Sequence, residues 1–464
     1  METMQKKVVI LGAGPTGLGA AWRLQELNYN NFKLFEMGSN AGGLARSFTD
    51  EKGFTWDIGG HVQFSHYAYF DSLMDSLLKD EWLEHERESW IWIKNRFVPY
   101  PFQNNIRHLP KEDVWKCISG LVDLYVKKSP APKNFREWIM YTFGEGIAEL
   151  FMIPYNYKVW AYPPEDLAYG WVGERVSVVD LKRVVENVMQ EKDDVSWGPN
   201  NKFRFPLKGG TGEIWKRLAS RIDKDKIFLN SEAVQVNTKK KYVVFKDGKK
   251  ESYDSLISTI PLDKLLLMSD IKEKESSKNL VHSSVHIFGL GIKGKPPEHL
   301  KTKCWMYFPE SNAPFYRATV FSNYSPNNVP DIKKYWSLML EVSESPKKKV
   351  DHEKIKDEVI EGVLSTKLIK SKSEIIDVWQ HFESYGYPTP SLKRDEALGI
   401  LKKLDSLGIY SRGRFGAWKY EVSNQDHSLM QGVEAINKIL KGEEETTVWR
   451  PSEANAGKKI TTKA

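Results

Sequence analysis

Residues 8–36 set the start of the fold. Val8-Val9-Ile10-Leu11 is an apolar, largely β-branched run, Gly12-Ala13-Gly14-Pro15-Thr16-Gly17 follows it directly, and Phe32-Lys33-Leu34-Phe35-Glu36 closes the stretch. The run predicts a buried strand, and the glycines predict a turn whose backbone can approach a pyrophosphate. Leu18, Ala21, Leu24 and Leu27 then recur on one side of a helix, with its N-terminal N–H groups and positive dipole end facing the phosphates. Glu36 ends the next strand about 20 residues beyond the glycines, where a carboxylate can accept hydrogen bonds from a ribose. The stretch reads as a dinucleotide site.

Two further turns choose the dinucleotide. Gly42-Gly43-Leu44-Ala45-Arg46-Ser47 and Asp57-Ile58-Gly59-Gly60-His61 bring more backbone N–H groups and a guanidinium to the same phosphates. A long, enclosed cofactor uses such groups and a loosely held nicotinamide does not. FAD is the expected cofactor.

At 464 residues the chain exceeds one ordinary core, so two or three domains are expected. Its two cysteines, Cys117 and Cys304, lack metal-ligand spacing, no apolar leader precedes Val8, and no apolar run approaches the length of a membrane span. The expected setting is a reducing cytoplasm, away from the membrane and with Asn323-Tyr324-Ser325 unglycosylated. The net charge of +7 sits largely in lysine clusters such as Lys239-Lys240-Lys241 and Lys347-Lys348-Lys349. An anionic small molecule accounts for that sign better than nucleic acid does.

The pattern along the chain predicts an α/β protein: a Rossmann-like FAD-binding domain, an inserted helical domain and an antiparallel β-sheet domain. The first is discontinuous over 1–66, 202–275 and 405–446. The mainly helical insert takes 67–201 and includes a hairpin, Trp90 to Val98, before helices reaching Phe151. Alternating strands from His282 to His381 place the sheet domain at 276–404. A helix from about Leu429 follows Asn424-Gln425-Asp426-His427-Ser428, and the charged residues after Gly442, with 447–464 as tail, are expected to be mobile.

No Ser/His/Asp arrangement, metal-ligand cluster or carboxylate pair stands out. Arginine and tyrosine recur instead among aromatic neighbours: Arg175, Trp305, Tyr307, Arg317, Tyr324, Tyr387, Arg414 and Tyr420. Guanidinium forks and phenol hydroxyls suit a buried diphosphate. The same residues also suit cross-strand packing and surface cation stacking, and His61 and His66 suit structural hydrogen bonding. An ordinary flavin oxidase or dehydrogenase and a non-catalytic carrier on the same fold both stay open at this point.

Longer motifs narrow the choice. Gly59-Gly60-His61-Val62-Gln63-Phe64-Ser65-His66-Tyr67, Pro99-Tyr100-Pro101-Phe102-Gln103-Asn104-Asn105, Pro154-Tyr155-Asn156-Tyr157-Lys158-Val159-Trp160, Trp197-Gly198-Pro199-Asn200, Phe315-Tyr316-Arg317-Ala318-Thr319 and Gly386-Tyr387-Pro388-Thr389-Pro390 are collinear with the UDP-galactopyranose mutase family. With the opening glycine motifs, the resemblance runs from about residue 8 to 440, and it is to the eukaryotic-type branch.

That resemblance implies a flavin-dependent isomerase interconverting UDP-galactopyranose and UDP-galactofuranose. Reduced FAD supplies N5 as nucleophile on the anomeric carbon, and NADPH or NADH supplies the electrons. Carried over by position, His61, Arg175 and Arg317 take catalytic roles, the arginines on the diphosphate. Tyr324, Tyr387 and Tyr420 add hydroxyl donors. Tyr100, Phe102, Gln103, Asn156 and Trp160 take the uridine. Asn200, Trp305, Tyr307, Arg414 and Asn424 complete the substrate set, with Arg175 and Asn200 on loops that close over substrate in the family. Gly12, Gly14, Gly17, Glu36, Gly43, Leu44, Arg46, Gly60, His61, Val234, Trp418, Asn424, Gln425 and Ser428 take the FAD. No metal is implied, and the oligomeric state, monomer or dimer, does not transfer, because the segment from Pro326 to Trp336 and the tail differ from other members.

Overall fold

The computed structural model describes residues 6–126, 130–195, 198 and 200–456, so Trp197, Pro199 and the final lysines lie outside the described residues. In chain order, β1 (Val8–Leu11), α1 (Pro15–Glu26) and β2 (Phe32–Phe35) open the structure. The hairpin β3 (Ser89–Ile93) and β4 (Arg96–Pro99) leads to α2 (Lys111–Val126), α3 (Phe135–Ile147) and α4 (Ile153–Trp160). After β5 (Ile227–Phe228) and β6 (Ser255–Ser258) come β7 (His282–Lys293), β8 (Trp305–Tyr307), β9 (Arg317–Val320), β10 (Tyr335–Glu344), α5 (Ile355–Ser365) and β11 (Ile375–Pro388). β12 (Ile409–Ser411), α6 (Gln425–Lys441) and α7 (Pro451–Ala454) end it.

A five-stranded sheet has the order β12-β6-β1-β2-β5, and each of its pairings is parallel. Both faces of β1 are covered, which is why its run is apolar throughout and not alternating. Val8 and Ile10 pack with Leu18, Trp215 and Leu429 on one side, and Val9 and Leu11 with Leu256, Leu265 and Leu401 on the other. Gly17 brings α1 onto the strand: a Cβ there would stand 1.8 Å from the Gly12 carbonyl oxygen.

The second sheet has seven strands in the order β11-β7-β10-β9-β8-β3-β4. This corrects the boundary drawn at residue 67 to 201, because the hairpin belongs to the sheet and not to the helical insert. Ser89, Trp90 and Ile91 pair in parallel with Trp305, Met306 and Tyr307, and Trp92 is buried in the sheet's own core. A second boundary also moves: Ala397, Leu401 and Leu404, assigned to the sheet domain, pack on the parallel sheet beside Val9 and Ile409.

The helical insert is interrupted where periodicity predicts continuity to Phe151. Gly144 has φ +67, and a π-helical turn, Ala148–Met152, follows. The cause is a backbone contact between helices, since a Cβ on Gly144 would lie 2.4 Å from the carbonyl carbon and oxygen of Gly120.

The tail is also corrected over its described part. Glu445 is 0% side-chain exposed and pairs with Arg412, Thr447 bonds Glu434 through both its backbone N–H and its hydroxyl, and Val448 is buried. These contacts tie residues 445–448 to α6 and to Arg412. No helix among the described residues is long and apolar enough to cross a membrane.

Candidate active site

A cavity of about 660 Å³ opens between the carboxyl ends of the parallel strands and one face of the second sheet. That volume lies in the range of small-molecule and cofactor sites. At one end Gly14 caps α1 and faces Gly43, with a Cβ on Gly14 meeting only Gly43 backbone, its Cα at 3.6 Å and its N at 3.9 Å. Gly12, Glu36, Leu44 and Arg46 line the same end. Glu36 accepts the N–H of Ala13 at 2.7 Å on Oε2 and that of Gly38 at 2.8 Å on Oε1, which fixes its carboxylate at the strand end. Arg46 is aimed by a bond from Nε to the Gly43 carbonyl at 2.8 Å.

A second helix N-terminus reaches the cavity from α6, through its cap Asn424 and first residues Gln425, Asp426 and Ser428. Gln425 accepts from the Trp215 indole at 2.7 Å. Two positive dipole ends in one cavity suit an anionic dinucleotide. Three proposed cofactor residues stand outside the wall. Gly17 serves packing behind it. Trp418 is fully buried in the core and donates its indole N–H to the Val281 carbonyl at 3.3 Å. Val234 falls at a bulge between Ala233 and Gln235 with its side chain exposed, and Ala233 lines the cavity in its place.

The other wall is cationic. β9 and β10 present Arg317 and Glu341, which are register partners joined by bonds of 2.7 Å from Nε to Oε1 and from Nη2 to Oε2. Glu341 also accepts from the Tyr316 hydroxyl at 2.8 Å and the Gly60 N–H at 3.1 Å. Burial opposes both charges, but the pairing outweighs it: Arg317 is held above the ordinary guanidinium value and Glu341 below the ordinary carboxylate value. Arg414 donates to the Gly386 carbonyl and the Ser423 hydroxyl, each at 3.0 Å, and stacks on Tyr387 at 4.9 Å.

His61 stands between these arginines. Burial first, then the charges of Arg414 and Arg317, push its pKa down to about 4, so the imidazole is neutral at physiological pH. Burial raises the hydroxyls of Tyr307, Tyr324 and Tyr387 above the ordinary phenol value, which keeps them as protonated donors. Trp305 donates its indole N–H to the Tyr307 hydroxyl at 2.5 Å.

Arg175 and Asn200 both line the cavity. Arg175 stacks on Tyr420 at 4.7 Å and donates to the Glu421 carbonyl at 2.9 Å and to Asn424 Oδ1 at 3.3 Å. Asn200 is held by Arg87, which stacks on Tyr100. Tyr100, Phe102, Gln103, Asn156 and Trp160 lie beyond that wall, in the core of the helical insert. Tyr100 approaches Tyr307 at 5.5 Å, Gln103 donates to the Ser177 carbonyl, and Asn156 donates to the Met152 carbonyl at 2.7 Å.

Sequence reasoning missed Glu341 and Arg87. Glu341 had a signal, being the one ionisable residue inside the otherwise apolar or small run Trp336 to Ser343. Arg87 had none, because its partners Asn200 and Tyr100 are distant in sequence.

Among the described residues, several buried polar atoms of this wall meet no protein partner: His61 Nδ1, Thr319 Oγ1 and Arg175 Nε. Together with the two helix ends and the Glu36 carboxylate, they fit a flavin dinucleotide lying beside a second anionic ligand. The class so defined is a flavoprotein of the oxidoreductase fold.

The sequence profile of the flavin containing amine oxidoreductases matches residues 15–363, and the chain belongs to that family. Within it the chain stands among the UDP-galactopyranose mutases: the crystal structure of a reduced UDP-galactopyranose mutase is 49% identical, covers 99% of both chains and superposes with a TM-score of 0.96. Putrescine oxidase with bound putrescine, at 16% identity, 94% of this chain, 99% of that chain and a TM-score of 0.64, shares the fold. Protoporphyrinogen oxidase 2 of Arabidopsis thaliana is 24% identical over 294 residues, 55% of this chain, and the chain spans 58% of that relative's length.

Proposed function

We propose that this flavin-dependent mutase interconverts UDP-galactopyranose and UDP-galactofuranose with FAD in its reduced form. One observation carries the reading: three guanidiniums, Arg175, Arg317 and Arg414, converge with protonated tyrosine hydroxyls on the cavity that the glycine turns and both helix ends also line. The near full-length similarity to a reduced mutase supports it.

Bound flavin, once reduced, supplies the nucleophile for the anomeric carbon. The chain's own residues do the rest. Arg175 and Arg317 hold the diphosphate and meet the charge that grows on it as the sugar bond breaks. Tyr324, Tyr387 and Tyr420 add hydroxyl donors. Neutral His61 offers a hydrogen bond without a competing positive charge. Trp305, Tyr307, Asn200 and Arg414 position the sugar, and the uridine enters beside Tyr307, toward Tyr100, Phe102, Gln103, Asn156 and Trp160. Asn424 serves both ligands. Gly12, Gly14, Glu36, Gly43, Leu44, Arg46, Gly60, Gln425 and Ser428 hold the FAD.

Electrons come from NADPH or NADH, as in the eukaryotic-type branch. The proposed setting is the cytoplasm, which agrees with the two buried free thiols Cys117 and Cys304.

Purified protein incubated with UDP-galactofuranose, with and without NADPH or dithionite, tests the reading by chromatography. Formation of UDP-galactopyranose only under reduction is the expected result. A yellow, reducible protein that converts nothing would leave the flavin fold and return the oxidase reading.

A further inference from the structure

We propose that His286, Glu344 and His352 form a binding site for a divalent transition-metal ion of the zinc class, on the seven-stranded sheet and away from the flavin cavity. His286 lies on β7, Glu344 ends β10, and His352 sits in the turn before α5. The ε nitrogens of both imidazoles point at the same carboxylate oxygen, Oε2 of Glu344, at 2.8 Å and 2.9 Å. All three candidate ligand atoms lie within 4.8 Å of one another. The ligands are 58 and 8 residues apart in sequence, so no motif spacing announces them.

Two nitrogens and one oxygen are a common zinc donor set, with bonds of about 2.0–2.2 Å and the remaining positions left to water. Such bonds in a tetrahedral site place neighbouring donor atoms roughly 3.3–3.6 Å apart. The two nitrogen–oxygen separations, 2.8 Å and 2.9 Å, are about half an ångström tighter, and His352 can supply the movement because its side chain is 56% exposed and sits on a turn. His286, at 2% exposure, is the fixed ligand, and the ring of Phe382 packs on both imidazoles at 4.8 Å and 5.4 Å. Without an ion the carboxylate, which can only accept, is met by N–H protons. Binding frees those nitrogens, each neutral imidazole shifting its hydrogen from Nε2 to Nδ1 through solvent and any imidazolium releasing its Nε2 proton to water and keeping the one on Nδ1. The Lys348 ammonium bonds the Ser343 carbonyl nearby and opposes a second cation, which weakens binding.

The segment that such an ion would brace is defined. Between Glu344 and the turn, Ser345 donates to the Ala161 carbonyl at 2.5 Å and Lys347 accepts from the Tyr157 hydroxyl at 3.1 Å. Ser343 bonds the Lys158 carbonyl. These contacts support α4, which carries Asn156 and Trp160. The ion would pin both ends of the strap that holds this helix, so binding should stabilise the fold.

The test is zinc chloride titrated calorimetrically into tag-free, chelator-washed protein with FAD bound, near neutral pH, with Tm followed in parallel. One equivalent bound and a raised Tm are expected. Both should be lost in His352→Ala, whose FAD content stays unchanged, and regained in His352→Cys, which returns a zinc ligand. No binding at zinc concentrations well above the protein's would overturn the proposal. So would a full equivalent retained by His352→Ala, which would assign the ion to the buried His66, Asp426 and His427 group instead.

Discussion

Arg317 and Glu341 are register partners on adjacent antiparallel strands, and their side chains close a two-pronged ion pair on the cavity wall. Glu341 is 2% exposed and spends its remaining capacity on Tyr316 and the Gly60 N–H. The pair therefore links the sheet's cationic wall to the turn that carries His61. It also fixes which edge of the guanidinium faces the ligand.

Removing either partner should have a different signature. Arg317→Ala should lower turnover by about 10²-fold or more while FAD stays bound, since the proposed function gives it to the diphosphate and not to the cofactor. Glu341→Ala leaves a buried cation unpaired and should cost about 3–5 kcal/mol of stability. The double variant should be more stable than Glu341→Ala alone, because it removes that stranded charge. Urea unfolding of the three proteins, with flavin absorbance and turnover, measures this. Additive losses would mean that the two side chains do not act as a pair.

The parts of the fold legible in sequence are those whose signal is local. The β1 to β2 unit is written in contiguous apolar runs and glycines, and the Lys94-Asn95 hairpin turn has both residues at positive φ as its spacing requires. The hairpin's place in the sheet was not legible, because pairing Ser89 to Ile91 with Trp305 to Tyr307 is a contact across more than 200 residues. The helix break at Gly144 was hidden for the same reason: its cause is Gly120 on another helix. At the site, Arg317, Arg414 and the tyrosines were singled out by residue type, whereas the carboxylate that orders Arg317 was read as part of a strand. The charged tail looked solvated because composition cannot show that Glu445 meets a buried arginine.

Glu36 gives a prediction at the cofactor end. Both of its oxygens already accept backbone N–H groups, from Ala13 and Gly38. Glu36→Gln replaces one acceptor by an NH2 that faces an N–H donor, and weakens the grip on a ribose hydroxyl as well. FAD affinity should fall by about tenfold or more, equivalent to at least roughly 1.4 kcal/mol. Equilibrium dialysis of released flavin reads this directly, and an unchanged affinity would place the ribose elsewhere.

Asp57 is fully buried and accepts from the Ser47 hydroxyl and the Thr211 N–H, yet burial outweighs these bonds and raises its pKa to about 7. A carboxyl raised in the native state binds its proton more tightly folded than unfolded. Its contribution to stability is complete below the unfolded value of 3.8 and is lost as pH rises through about 7. Asp57→Asn cannot ionise. The unfolding free energy of wild type minus that of the variant, measured in urea, should therefore fall steadily between about pH 4 and 7 and level off above, with a total on the order of a few kcal/mol. A difference that stays flat across this range would show that Asp57 is ionised in the folded protein.

The last prediction concerns the residues after α6. Arg412 is 0% exposed and is bonded from Nε to Glu445 Oε1 at 2.6 Å, from Nη2 to Glu445 Oε2 at 2.7 Å and from Nη2 to Asp405 Oδ2 at 2.9 Å. Lys438 joins the same group, at 2.9 Å from Glu445 and 3.1 Å from Asp405. Two cations are thus balanced by two carboxylates, and one of the carboxylates comes from the segment that composition alone marks as mobile. Glu445→Ala leaves the fully buried Arg412 to share Asp405 with the half-buried Lys438, and should destabilise the protein by about 3–5 kcal/mol. Glu445→Gln, which keeps the shape and part of the hydrogen bonding, should cost less. Because Arg412 follows β12 of the parallel sheet directly, the loss should appear in urea unfolding of the whole protein and not as local fraying of the tail. A Glu445→Ala protein with wild-type stability would mean that the segment after Gly442 does not hold this position in solution.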